Sequence, residues 1–412
     1  MSELAPTAVD VLIVGGGMVG ASLALALSHT DKRVALIEAV APEADDQPSF
    51  DERTTALGNG SRRIFEALGV WPHLAAHAGA VREIQVSDQG RLGGARLSAA
   101  EQGIDALGYV VPNRHIGAAL WKQLAARPQI LIRNPARVRE VRLAEDAAHL
   151  VVAGRSNVAV DGDAVEHFAA RLVVAADGAH SLVRSAAGIA AVVEDYAQVA
   201  VVVQVATDRP ATGIAYERFT RTGPLAVLPL ADGRYTVVWT LAPDRATEML
   251  ALDDAGFIAA LQGNFGWRIG RLLRVGARAC YPLRLSRADA MAGRRAVLVG
   301  NAAQALHPVA GQGFNLGLRD AALLAQLLAV AQDPGMPAVL ETYERRRAAD
   351  RRGMIGFTDG LVKLFASDRA AVAAARGFGL MLFDMAPPLK RALSRLSWGF
   401  GGDTPRLMRG LQ

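Results

Sequence analysis

Residues 10–20 read Asp10-Val11-Leu12-Ile13-Val14-Gly15-Gly16-Gly17-Met18-Val19-Gly20, and this stretch decides the fold. A short aliphatic run ends in a glycine turn. Residues 21–27 follow as strong helix formers, residues 34–37 as a second aliphatic run, and Glu38 as an acid at its end. Strand, glycine turn, helix, strand, acid is a βαβ unit with the dinucleotide fingerprint. Gly15 permits the tight turn, Gly17 lets the backbone approach a pyrophosphate, and Gly20 lets helix and strand pack closely. The helix start, with Met18 and Val19, turns free N–H groups and a positive dipole end toward phosphates. Glu38 stands where a carboxylate accepts from ribose hydroxyls. A lone glycine pattern is weak evidence; the flanking strand, helix and acid make this one strong.

Outward from this unit the texture changes. Residues 84–87, 130–133, 138–143, 150–153 and 171–175 read as strands, and 59–68 and 114–124 as helices. Residues 51–57 read as the lead into the first of these helices. Residues 196–205, 213–219, 224–229 and 234–241 alternate apolar and polar and are separated by turns such as Thr222-Gly223 and Asp232-Gly233. That pattern predicts an antiparallel sheet inserted into the α/β scaffold. Residues 296–299 are a last strand before a glycine-rich loop, and the chain beyond 339 reads as helical, interrupted near Pro387-Pro388.

Composition narrows the class. The chain has 412 residues, 51% hydrophobic and 21% charged, enough for two or three well-cored domains. One cysteine excludes an intramolecular disulfide framework and a Cys-rich metal site; no metal is expected. The net charge of +5 is too mild to suggest a nucleic-acid partner. It is concentrated from Glu341 onward, where 13 Arg and Lys face seven Asp and Glu. A basic end of this kind suits an anionic bilayer or a partner protein. No secretory signal or membrane-length apolar run is visible, so the expectation is a cytoplasmic protein, peripheral at most to the inner face of a membrane.

Three ordered segments together resemble one family. They are Gly15-x-Gly17-x-x-Gly20 with Glu38; Asp177-Gly178-Ala179-His180-Ser181-Leu182-Val183-Arg184; and Gly300-Asn301-Ala302-Ala303 followed by His307-Pro308 and Gly311-Gln312-Gly313-Phe314-Asn315. The family is the FAD-dependent aromatic hydroxylases of the p-hydroxybenzoate hydroxylase type. Within it, residues 50–57, Leu68-Gly69-Val70-Trp71, Tyr196-x-Gln198, Ala215-Tyr216-Glu217-Arg218-Phe219 and Gly223-Pro224-Leu225-Ala226 resemble the ubiquinone-biosynthesis hydroxylases. The nearest branch is the 2-polyprenyl-6-methoxyphenol hydroxylases. The wider family usually has Asp at position 301; Asn301 is a departure this branch shares, and an amide still hydrogen-bonds a hydroxyl.

The resemblance implies a Rossmann-like FAD-binding domain with an inserted antiparallel-sheet substrate domain and a C-terminal helical segment. The implied division is 1–80, 101–188 and 276–332 for FAD, 81–100 and 189–275 for substrate, and 333–412 for the helical region. It implies FAD held by Gly15, Gly17, Met18, Val19, Gly20, Glu38, Arg53, Asp177, Gly178, Arg184, Gly300, Asn301, Gly311, Gln312, Gly313, Phe314 and Asn315. NAD(P)H visits transiently, since no second glycine fingerprint exists, and O2 is captured as a flavin C4a-hydroperoxide that hydroxylates a polyprenylated phenol. His307 and Pro308 are the catalytic-loop candidates. His307 reads better as a loop histidine fixed by Pro308, and no acid–base dyad is evident.

Alternatives are a hydroxylase of another ring position or aromatic substrate, and a non-catalytic FAD-bearing subunit of a biosynthetic complex. A flavin halogenase would carry a WxWxI segment, which the five tryptophans never form. Leu380-Met381-Leu382-Phe383 among Arg376, Lys390, Arg391 and Arg395 suggest a basic amphipathic surface for a bilayer or partner, and self-association is a further expectation.

Overall fold

A computed structural model describes residues 5–41, 53–91, 93–154, 164–307, 309–366, 379, 382–400 and 403–410. Its first layer is an eight-stranded sheet with a parallel centre. Thr7–Val14 pairs in parallel with Val34–Ile37 on one side and with Ala164–Ala175 on the other. Ile130–Arg133 and Ala296–Leu298 extend the sheet at either side. Helices cover both faces of such a sheet, so its strands are apolar without alternation: Val11 to Ile13 and Leu172 to Ala175 are wholly enclosed. Ala148–Gly154 folds back antiparallel on Ala164–Ala175, and Ala136–Leu143 pairs antiparallel with Ala148–Gly154 in turn.

The second layer is a nine-stranded sheet built around Ala191–Thr207, which pairs antiparallel with Tyr235–Leu241, Leu272–Val275 and Ala279–Ala288. Gly223–Pro229 and Ile214–Thr220 follow, and Glu83–Asp88 then joins Ile214–Thr220 in parallel, with Gly94–Ser98 outside it. Ala279–Ala288 pairs along its length inside this sheet, which therefore continues past residue 276. Two helices absent from the sequence reading, Pro243–Ala251 and Asp254–Phe265, cover one face, where Phe257, Leu261 and Phe265 pack on Tyr216 and Trp239. The opposite face is left to line a cavity.

A third, three-stranded sheet joins Thr54–Gly58, Gly108–Pro112 and Gly79–Val81. Residues 54–58 are thus a strand, not a lead into the next helix. The strand is five residues long and its partner lies more than fifty residues away, so no local pattern betrays it.

The helix Gln312–Val330 crosses behind the glycine turn and is among the most enclosed elements of the chain. Gly317 allows this: a Cβ there would stand 2.9 Å from Gly300 Cα and 3.0 Å from Val19 Cγ2. Pro337–Ala366 packs outside it, and Pro387–Ser397 follows.

Candidate active site

The turn at residues 15–20 is held by backbone geometry. Gly15 has φ +101°, and a Cβ there would lie 2.4 Å from the Ala176 carbonyl oxygen. The Gly16 N–H donates to Glu38 Oε2, and the Val40 N–H donates to Glu38 Oε1 at 2.9 Å. Glu38 is thus fixed at the strand end, with lone pairs remaining on both oxygens. At the next strand end, Asp177 Oδ2 accepts from the Leu182 N–H at 2.8 Å, while Asp177 Oδ1 is enclosed without a protein donor. Ser181 Oγ caps the short helix that follows by accepting from the Arg184 N–H. The Arg184 guanidinium donates to the Ala179 carbonyl at 2.7 Å and the Ala302 carbonyl at 3.0 Å, tying the second sequence segment to the third.

The third segment forms the far wall. Asn315 uses its whole amide on the protein. Its Oδ1 accepts from the Gly58 N–H and Ser61 Oγ, and its Nδ2 donates to the Ala56 and Gly311 carbonyls at 2.7 Å each. It thereby holds the left-handed turn at Gly311, φ +60°, against Thr54–Gly58. A Cβ on Gly178 or Gly313 would meet nothing within 4 Å, so both leave open space beside the backbone. Arg53, just before Thr54–Gly58, stacks over the Tyr281 ring of the nine-stranded sheet, 4.8 Å from its centroid.

His307 is enclosed, and its ring Nδ1 accepts from the Val309 N–H at 3.1 Å. Burial holds it well below the ordinary imidazole value, at about 4. The neutral ring therefore carries its proton on Nε2, which has no acceptor in the protein. It is a hydrogen-bond donor here, with no lone pair free to take a proton. Pro308 lies outside the described residues, as do Arg376, Leu380, Met381 and residues 50–52.

These pieces enclose one cavity of about 1360 Å³. Gly15, Gly17, Met18, Val19, Glu38, Arg53, Asp177, Gly178, Gly300, Asn301, His307, Gly311, Gln312, Gly313 and Phe314 all line it. Gly20, Arg184 and Asn315 stand behind the wall, where they position residues that line it. The unpartnered Asp177 oxygen, the open backbone at Gly178 and Gly313, and a helix start beside a fixed carboxylate fit an extended dinucleotide such as FAD.

Sequence reasoning missed a buried charge cluster behind this wall. Asp320 Oδ2 accepts from the Gly300 N–H at 3.3 Å and from Gln304 Nε2 at 2.7 Å; its Oδ1 accepts from Arg347 Nε at 2.7 Å. Arg347 also pairs with Asp350 at 2.6 Å, and Asp350 with Arg319 at 2.8 Å. Burial opposes the charge on Arg347, but the Asp320 and Asp350 carboxylates outweigh it and hold the guanidinium more firmly protonated than usual. The signal was present as Arg319-Asp320 inside a helix with no other charged residue.

The cavity continues past the dinucleotide arm under the free face of the nine-stranded sheet, and then between Phe357, Leu361, Leu364, Phe383, Leu393 and Trp398. A carboxylate on this face lines the cavity: Glu217, on Ile214–Thr220. Burial pushes it up from 4.5 to about 7. Because the folded value is raised, the unfolded chain ionises first, and stability is lost as pH rises from about 4.5 through about 7. Glu217→Gln is therefore expected to melt above the parent protein at pH 8 and level with it at pH 4, read by thermal scans of the FAD-free protein. Equal melting curves at pH 8 would refute the desolvated carboxylate.

The chain matches the FAD binding domain family over residues 8–358. The ubiquinone hydroxylase UbiL of Rhodospirillum rubrum is 40% identical over 410 residues, spanning 98% of this chain and 93% of that protein. The 3-demethoxyubiquinol 3-hydroxylase of Escherichia coli is 32% identical over 398 residues, spanning 95% of this chain and 98% of that one. Among solved structures, the p-nitrophenol 4-monooxygenase PnpA of Pseudomonas putida DLL-E4 shares the fold with a TM-score of 0.78 at 21% identity, over 96% of this chain and 99% of that chain.

Proposed function

The chain belongs to the FAD binding domain family and, within it, to the ubiquinone-biosynthesis hydroxylases, and from that premise we propose that it hydroxylates the ring of a polyprenylated phenol. The enzyme is an FAD-dependent aromatic-ring monooxygenase with NAD(P)H and O2 as co-substrates. When bound, FAD supplies reduction by the pyridine nucleotide and activation of O2. The protein does the rest. Glu38 and the Gly15–Gly20 turn take the nucleotide end, and Asp177, Asn301 and the helix start at Gln312 take the ribityl chain and ring edge.

The observation that carries the substrate reading is the continuity of the cavity. It runs from the glycine turn, beneath an apolar sheet face, into an arm walled by Phe357, Leu361, Phe383 and Leu393. A phenol ring fits the first part and an isoprenoid tail the second, since such walls offer a tail burial and no hydrogen bonds. Beside that arm Leu382, Met385 and Leu389 are 51%, 78% and 57% exposed, with Arg391 and Arg395 on the adjoining helix. This supports loading of the tail at an anionic bilayer surface. Among the described residues no helix is long and apolar enough to cross a membrane.

The test is a holoenzyme assay of NAD(P)H oxidation and O2 uptake with short-chain 2-prenyl-6-methoxyphenol and with a demethoxyubiquinol analogue. The expected result is substrate-stimulated oxidation and a product one oxygen heavier, whose new hydroxyl mass spectrometry locates. A protein that holds FAD yet oxidises NAD(P)H no faster with any prenylated phenol would overturn the reading in favour of a non-catalytic subunit.

A further inference from the structure

We propose that Glu217 is the catalytic base that takes the phenolic proton of the bound substrate and later returns it. The inference rests on the hydroxylase reading above and assigns that reaction an acid–base group in this chain.

In register, Glu217 lies between Val86 of Glu83–Asp88 and Ala226 of Gly223–Pro229. Along its own strand the residues on the same face are Ala215 and Phe219. None of these side chains carries a donor. Glu217 Oε1 is enclosed and has no hydrogen-bond partner, although the residue lines the cavity. A carboxyl group walled by Val, Ala and Phe is costly unless something supplies a hydrogen bond, and the open side here is the cavity. The surroundings therefore ask for a donor on the ligand, and a phenol O–H is one.

The position is right for the chemistry. Phe219 packs with Val309, two residues beyond His307 on the loop that leads into the glycine turn at Gly311. Glu217 lies one strand repeat from that contact, roughly 7 Å along the strand. The titratable residues that line the cavity here or pack against its sheet face are Arg53, Tyr109 and His307, with Tyr196 edge-on to the His307 ring and Asp88 in register with Phe219. His307 can donate but has no free lone pair, and Arg53 stacks on Tyr281. Glu38, Arg137, Asp177 and His180 line the dinucleotide arm. Tyr216 and Arg218 alternate to the other face, where Tyr216 packs with Phe265. Glu217 is the carboxylate that the sheet directs at the substrate chamber.

The step balances. The phenolic O–H bond breaks, its proton passes to the Glu217 carboxylate, and the electron pair left on oxygen raises the nucleophilicity of the ring carbon. That carbon takes the hydroxyl oxygen from O2 activated at the NAD(P)H-reduced cofactor, and the second oxygen leaves as water. The resulting dienone re-aromatises as the ring carbon sheds its proton to solvent and the oxygen recovers one from Glu217. A phenol titrates near ~10 in water, so a base near neutrality within reach is worth about 10² to 10⁴ in rate.

The experiment compares parent, Glu217→Gln and Glu217→Asp holoenzymes across pH 5–9 with short-chain 2-prenyl-6-methoxyphenol. The expected result for the parent is kcat rising through an acidic limb near neutrality. Glu217→Gln should lose about 10² in kcat or more and lose that limb. Glu217→Asp should keep the limb at a lower rate, and it carries the test if the Gln variant fails to retain FAD. A Gln variant with the parent's pH profile and rate, or an Asp variant indistinguishable from the parent, overturns the proposal. A parent enzyme that no prenylated phenol stimulates refutes the functional reading itself, so the two failures are distinct.

Discussion

Replacing Asp320 with alanine is expected to destabilise the protein by roughly 3–5 kcal/mol, the usual cost of stripping one partner from a buried charge network. Three donors lose their acceptor at once: the Gly300 N–H, Gln304 Nε2 and Arg347 Nε. Arg347 is 1% exposed and keeps Asp350, but a two-against-two set of charges becomes two cations and one anion in the interior. For a chain of this length the loss corresponds to a fall in Tm on the order of 5 °C. The damage should reach the cofactor, because Gly300 and Gln304 flank the loop that carries Asn301 into the cavity. Thermal melts with and without added FAD would read both effects. The exposed pair Arg346–Asp403 sets the comparison: Asp403→Ala should cost less than about 1 kcal/mol, since water screens that pair. Equal costs for the two alanine variants would show that the buried cluster does not brace the loop.

Gly20→Val is expected to abolish FAD retention. A Cβ at this position would lie 1.9 Å from the Gly15 carbonyl oxygen and 3.1 Å from the Ala176 Cβ, a clash with backbone that no rotamer relieves. The helix would have to move off the strand, carrying its N–H groups away from the phosphates. Gly313→Ala is the informative contrast. Its Cβ would meet no protein atom within 4 Å, so FAD-free Gly313→Ala should melt like the parent while binding FAD more weakly, because the methyl group enters the cavity. Flavin absorbance per protein after desalting, together with the melt of each FAD-free protein, separates the two cases. Retention of FAD by Gly20→Val at the parent level would refute the account of the turn.

Much of the dinucleotide half was legible because its signals are local. The run 10–20 encodes strand, turn and helix start through consecutive residues, and Glu38 follows at the spacing the fingerprint demands. The second and third segments, at 177–184 and 300–315, were legible as short patterns in a fixed order. The structure adds that Arg184 and Asn315 act behind the cavity wall, holding loops through carbonyl and N–H partners. The inserted sheet was legible from alternation and turns. Its covering helices, Pro243–Ala251 and Asp254–Phe265, were not, since Pro243, Gly256 and Gly263 read equally well as loop punctuation.

The sequence by itself determined the βαβ entry, the order of the cofactor segments and the family to which they belong, because each rests on neighbours along the chain. Tertiary structure alone decided that Thr54–Gly58 is a strand, that Asp320 braces the Gly300 loop, and that Glu217 faces the cavity between Val86 and Ala226. Those outcomes depend on which distant segment lies opposite. A residue's type states what burial will cost it, and only the fold states which partner it meets there.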